Sequence, residues 1–338
     1  DIIFQYITSF DLLGNKSFEK WNAGPFGDER IAGSYLKNFS FLSFFYIFVK
    51  VKNKNSINLL LIFFIPLHLL GTLLSGNRMP LILFLFGCVL IILLIKNLRL
   101  IMSLSLIIFL SIFSILFKND ENIRNSYDSF FTEINILKLI KTKTVNISNE
   151  KREVKKNEEV YIEEKDNIKE GIILLDNTNY GRIYRTSILM WKEKPFLGFG
   201  LKSFRIKCFD ILDRDAIKIG KPLFSYPEKD VILPGKLACG NHSHNYYFEL
   251  LSETGLIGTT LLIIFFLILL KDSFYCIKKY TKETDSKMIL LLPFILGLIL
   301  EIWPLRSSGS FFTTWNATYF WLNVAILFTL RAKKNILS

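Results

Sequence analysis

His244 is the residue whose type and setting most suggest chemistry. It is followed by Asn245, then nine residues, then Gly255-Leu-Ile-Gly258, where the sequence turns continuously apolar. A free imidazole titrates near pH 6.5, so it accepts a proton at neutral pH at little cost. Two readings stand at this point: a general base acting on a lipid-linked substrate at a membrane surface, and a structural histidine at a membrane interface. His242, two residues away, suggests a metal pair. The only other histidine, His68, lies within an apolar stretch beside Pro66, and no Cys or carboxylate cluster at ligand spacing completes a site. Neither metal nor cofactor is expected, and His68 reads as a packed, hydrogen-bonded residue.

Arg78 sits in the turn Leu74-Ser-Gly-Asn-Arg78-Met-Pro80 between two apolar stretches. Charges at such places are usually functional when they face a cavity. The alternative is an arginine snorkelling to lipid headgroups. Arg182, Arg185 and Arg306 share its side of the membrane in the topology below. Several guanidinium groups on one face suit a pyrophosphate, because the planar fork bonds phosphate oxygens in pairs.

The elements that must hold these residues are membrane helices. The chain has 338 residues, 51% of them hydrophobic with 32 Phe, which is too apolar for an ordinary soluble protein. Seven stretches approach the roughly 20 helical residues that cross a bilayer core: Ala32 to Val49, Ile57 to Leu74, Pro80 to Ile95, Leu98 to Phe117, Gly255 to Leu270, Met288 to Trp303 and Ala317 to Leu330. The expected fold is an all-α polytopic membrane protein with about seven transmembrane helices and one large, mostly helical periplasmic loop. Residues 1–117 hold an N-terminal periplasmic segment and four spans, 118–254 the loop, and 255–338 three further spans.

Lysines and arginines beside spans stay cytoplasmic. Lys50, Lys52 and Lys54, then Lys96 and Arg99, then Lys271, Lys278, Lys279, Lys282 and Lys287, and finally Arg331, Lys333 and Lys334 all fall on one side. His244, Arg78 and the long loop then face the periplasm. These anchors also account for much of the net charge of +12, so nucleic acid is not expected as a partner.

Within the loop, sixteen of the thirty residues from Lys141 to Glu170 are charged, eight of each sign. Such a polyampholyte buries too little apolar surface to fold alone, and reads as a flexible insertion or a solvated helix. Tyr180 to Lys194 has helical spacing, with Tyr184, Ile188 and Trp191 on one face and Arg182 and Arg185 on a neighbouring one. Pro195 ends it. In Gly198-Phe-Gly200 the glycines fit tight turns, and Gly255 and Gly258 read as allowing close helix approach. Cys208 and Cys239 lie where an oxidising compartment permits a disulfide, with two unpaired thiols as the alternative. Asn146, Asn241 and Asn316 begin glycosylation-type triplets that decide nothing in so Asn-rich a chain.

His244-Asn245, nine residues, then Gly255-x-x-Gly258 resembles the signature of the O-antigen ligase and O-antigen polymerase superfamily of bacterial inner-membrane proteins. Phe26-Gly-Asp-Glu-Arg-Ile-Ala-Gly-Ser-Tyr-Leu36, Arg78 before a span, Pro195-Phe-Leu-Gly-Phe-Gly200, and Cys208 with Cys239 are similar too. The ligases carry Leu four positions after their arginine, where this chain has Ile82. The resemblance implies about twelve spans with the large loop between the ninth and tenth, so a chain starting at Asp1 reads as lacking about five. It further implies glycan transfer from undecaprenyl pyrophosphate to a sugar hydroxyl of the lipid A core, inverting and independent of metal. His244 would be the base, and Arg78 with Arg182, or Arg185 in its place, would bind pyrophosphate. Polymerases use a lipid-linked glycan as acceptor, and protein O-oligosaccharyltransferases use Ser or Thr. A lipid-linked sugar transporter is a further alternative, which needs polar residues along a path through the spans.

Overall fold

A computed structural model describes the chain except residues 19–20, 28, 51–53, 134–178, 219–236, 284–287, 308 and 338. The charged stretch from Lys141 to Glu170 lies outside the described residues, and so does the triplet at Asn146. The described residues are helices, turns and two isolated β-bridges.

All seven apolar stretches are helical, as apolar runs must be where no water is present to satisfy backbone polar groups. The first four form α2 (Ala32–Lys50), α3 (Lys54–Leu74), α4 (Arg78–Leu94) and α5 (Arg99–Asn119), after a short α1 (Ile2–Thr8). The last three lie in α9 (Tyr246–Glu283), in a 3-10 turn continuing into α10 (Leu292–Glu301), and in α11 (Thr314–Leu337). Two segments, Lys96–Asn119 and Tyr246–Lys278, are long and apolar enough to cross a membrane. Asn58–Leu74, Arg78–Leu94 and Ile289–Glu301 are shorter apolar helices.

In a lipid-like setting close packing holds helices together, and small residues permit it. Gly87 on α4 is such a joint: a Cβ there would lie 2.5 Å from the Phe41 ring of α2 and 3.1 Å from Leu300 of α10. Phe41 also meets Phe84 of α4 edge to face at 5.1 Å. The N-terminal segment is tied down over the α3–α4 turn, where Asn22 Nδ2 donates to the Leu74 carbonyl at 2.8 Å and Asn77 Nδ2 to that of Arg30 at 2.8 Å.

Among the described residues the long connection contributes α6 (Glu121–Glu133), α7 (Asn179–Glu193) and α8 (Phe204–Lys218). The α7 boundary agrees with the helical spacing and the stop at Pro195. A second, smaller core joins Ile183 and Met190 of α7, Phe204, Cys208, Ile211 and Leu212 of α8, and Leu237 to Cys239. Cys208 and Cys239 form a disulfide with Cα atoms 5.7 Å apart. Closing a loop of this size stabilises by roughly 3 to 4 kcal/mol in the chain-entropy model. Reductant, or Cys208→Ser, is therefore expected to lower the unfolding midpoint of this small core, read by protease sensitivity of the α7–α8 region on heating. An unchanged midpoint would contradict it.

Cys88 and Cys276 are buried. His68 is half-buried in α3, its Nδ1 2.9 Å from the Phe64 carbonyl and its ring against Phe64. That is a packed, hydrogen-bonded residue.

Candidate active site

α9 begins at Tyr246, and Asn245 caps it. Asn245 Oδ1 accepts from the amides of Tyr247 at 3.0 Å and Phe248 at 3.4 Å, which helix geometry leaves without carbonyl partners. Its Nδ2 donates to the carbonyls of Pro304 at 2.8 Å and Arg306 at 3.1 Å. One buried amide thus fixes the start of α9 to the loop after α10. Glu249, one turn into α9, repeats the tie by accepting from the Phe311 amide at 2.7 Å.

His244, just before the cap, has φ +55°, a left-handed conformation uncommon for a residue with a Cβ. That conformation costs energy, which the hydrogen bonds on Asn245 offset. The His244 ring is half-buried, 5.3 Å from the ring of Tyr180 and 4.2 Å from that of His242. Burial, and then the neighbouring His242, push its pKa down to about 4. At pH 7 the imidazole is neutral, and a neutral imidazole carries one lone-pair nitrogen that can accept a proton. Among the described residues no group of three or more His, Cys, Asp or Glu is gathered as metal ligands.

Tyr180 belongs to α7, the helix that carries Arg182 and Arg185, both half-buried. α7 lies on the first turns of α9, with Tyr184 stacked on Phe248 at 4.5 Å. The structure therefore brings the α7 arginines and His244 onto adjoining elements. Arg78 is the first residue of α4, half-buried, with Nε 3.4 Å from the Ser126 hydroxyl of α6. A cation at a helix N-terminus opposes the helix dipole. The guanidinium and the helix N-terminus thus add to one positive potential at this point.

The glycines do more than ease a turn. α9 breaks at Gly255, where φ is +64° and ψ −166°, a combination essentially confined to glycine. The break lets two backbones meet in register. The amides of Phe199 and Gly200 donate to the carbonyls of Ser252 and Glu253 at 3.1 and 2.8 Å, and those of Leu256 and Ile257 donate to Pro195 and Phe196 at 2.8 and 3.2 Å. A Cβ on Gly198 would fall 2.4 Å from the Glu253 carbonyl, and one on Gly255 would fall 2.4 Å from that of Phe196. The Glu253 carboxylate completes the joint, accepting from the amides of Lys202 at 2.6 Å and Phe204 at 3.0 Å at the start of α8. Gly200 has φ +100° with open space where a side chain would stand.

Gly258 departs from expectation. A Cβ there would meet Thr254 of its own helix at 2.5 Å, so its smallness relieves crowding beside the kink instead of admitting another helix. Arg306 departs as well. It is buried, bonded to the Glu301 carboxylate and 5.1 Å over the Tyr246 ring, not displayed toward a substrate.

A family model described as O-antigen ligase matches residues 59–263. The chain belongs to the O-antigen ligase family. Membership makes it a membrane enzyme of the glycosyl-transfer type, from a bacterial inner-membrane family acting on lipid-linked glycans. The matched stretch contains Arg78, Arg182, Arg185, His244, Asn245 and both glycines of the Gly255–Gly258 pair. A comparison with curated proteins finds no match.

Sequence reasoning missed Glu249 and Glu253, whose roles appear only when the elements are assembled. It also missed Lys37 and Glu301, which are buried together with Nζ 2.6 Å from Oε1. Their signal was a single lysine and a single glutamate, each inside an apolar stretch, where an isolated charge is too costly to stand unpaired.

Proposed function

We propose that this family member is a ligase that moves a glycan from undecaprenyl pyrophosphate to a sugar hydroxyl of the lipid A core at the periplasmic face, by inversion and without metal. The observation that carries the proposal is the half-buried His244, next to the anchored cap Asn245 and flanked by Tyr180 of the helix bearing Arg182 and Arg185. In this reading all seven apolar helices cross the membrane, with their lysine- and arginine-rich ends in the cytoplasm.

His244 takes the proton of the acceptor hydroxyl as its oxygen bonds to the anomeric carbon. The bond from that carbon to the pyrophosphate oxygen breaks, and the pyrophosphate departs with the electron pair. Arg78, Arg182 and Arg185 stabilise the charge growing on it, an effect strengthened where water is sparse. The anionic donor raises the pKa of the nearby imidazole from its low resting value, so the base strengthens when substrate is bound. Both substrates are lipid-anchored, and confinement to one plane supplies part of the orientation.

One displacement inverts the anomeric centre. NMR of the product made by purified full-length protein is expected to show the configuration opposite to that of the donor. Retention would refute direct attack by the acceptor.

Acid should cost the resting enzyme stability. Folding lowers the His244 pKa from 6.5 to about 4, so the unfolded chain binds more protons in that interval. The stability tied to the neutral ring is complete above pH 6.5 and is lost as pH falls through about 4. Donor-free protein is expected to keep His244 neutral at pH 5.5, read from its imidazole NMR shift. A midpoint at or above 6.5 would contradict the burial argument.

A further inference from the structure

Lys37, Glu301 and Arg306 form a buried charge cluster at the junction of α2, α10 and the loop that follows α10. Relative exposures are 3%, 2% and 8%. Glu301 Oε1 accepts from Lys37 at 2.6 Å, and its other oxygen accepts from Arg306 and, at 3.4 Å, from the Tyr246 hydroxyl. Arg306 also donates to the Glu301 main-chain carbonyl at 3.3 Å. All three residues lie outside the family-matched stretch of 59–263.

Three ionised groups withdrawn from water are costly, and hydrophobic replacements often serve stability as well. Their value lies in direction, because a fully bonded buried network fixes one arrangement. Here the arrangement leads to the histidine. The carbonyls of Pro304 and Arg306 hold Asn245 Nδ2, Asn245 Oδ1 caps α9, and His244 is the adjoining residue in a left-handed conformation. Tyr246, which bonds Glu301 and lies beneath Arg306, follows Asn245 directly. The cluster therefore grips the His-Asn turn from two sides.

We infer that Lys37, Glu301 and Arg306 are positioning residues that set the orientation of His244 through the Pro304–Arg306 carbonyls and Asn245. The inference rests on the proposed role of His244 as base, but the link from cluster to ring is a structural claim that can be read without turnover. Removing the Glu301 charge frees Arg306 and loosens the loop carbonyls. Asn245 then loses its anchor, and the ring no longer holds the angle needed to reach the acceptor hydroxyl.

The test uses full-length protein in nanodiscs with 13C-labelled histidine, the His244 signal being assigned by its loss in His244→Gln. In Glu301→Gln and Asn245→Asp the His244 signal is expected to move or broaden while that of His68 stays in place. Transfer kcat is expected to fall at least tenfold, with donor KM within twofold. Arg306→Met should behave alike, and Arg306→Lys, which keeps the charge, should recover part of kcat. If Glu301→Gln does not fold, Asn245→Asp and the Arg306 pair carry the test. Folded variants with an unmoved His244 signal and wild-type kcat would overturn the inference. A moved signal with kcat unchanged, together with an active His244→Gln, would sink the base assignment and leave the structural link standing.

Discussion

Replacing His244 by alanine is expected to slow glycan transfer by about 10²- to 10⁴-fold, the range that a well-placed general base supplies. The protein should remain folded. The ring is half-buried against Tyr180 and His242, and the main core of the helices and the smaller α7–α8 core are both built from other residues. Loss of activity with unchanged thermal unfolding and unchanged donor binding separates chemistry from structure. His242→Ala makes the control: it removes a neighbour that lowers the His244 pKa and leaves the base itself in place. Its effect should be far smaller. A His244→Ala protein with more than a tenth of wild-type activity would leave the imidazole with a structural role only.

The second large effect concerns Gly255. An alanine there would place Cβ 2.4 Å from the Phe196 carbonyl, at a φ of +64° that disfavours any side chain. Strain in such a conformation costs on the order of 1 to 3 kcal/mol. Overpacking against rigid backbone adds a similar amount. The obstacle is main chain, so no rotamer change relieves it. Four backbone hydrogen bonds join the Pro195–Gly200 turn to the α9 kink, and the same joint seats Glu253 on the start of α8. Gly255→Ala is therefore expected to separate the turn from the kink, lower the unfolding midpoint and abolish transfer. Gly198→Ala should match it, because its Cβ meets the Glu253 carbonyl from the opposite side at the same 2.4 Å. Gly200→Ala should be milder, since that position opens to free space and carries only the cost of φ +100°. Equal, small effects at all three positions would mean that the joint does not hold the site.

These contrasts show which parts of the fold are legible in the sequence. The apolar runs declare helices, because hydrocarbon leaves the backbone no other partner. Pro195 marks the end of α7 through its missing amide and its restriction on the preceding residue. The His-Asn pair and the distant glycines are visible as spacing, and the family resemblance gives that spacing meaning. Their physical reasons are not visible. Gly255 looks like a helix-packing glycine until the kink is seen, and Gly258 until Thr254 is found beside it.

Long-range polar pairs are harder still. Lys37 and Glu301 are separated by 264 positions, and nothing local says that their helices adjoin. Arg306 follows an apolar stretch and looks surface-bound by the same reasoning that places Arg78. The four residues from Ile302 to Leu305 turn it inward to Glu301 instead. A carboxylate that caps a helix from another element, as Glu253 does for α8, is equally silent in sequence, because the cap residue and its helix are 49 positions apart.

Ligation that depends on His244 can be read on a lipopolysaccharide gel after expressing the full-length gene, wild type and His244→Ala, in strains lacking either the ligase or the polymerase and supplied with the matching glycan donor. Wild type is expected to restore glycan on lipid A core in the ligase-null strain, and His244→Ala is not. Rescue confined to the polymerase-null strain, or rescue of the ligase-null strain by His244→Ala, would contradict it.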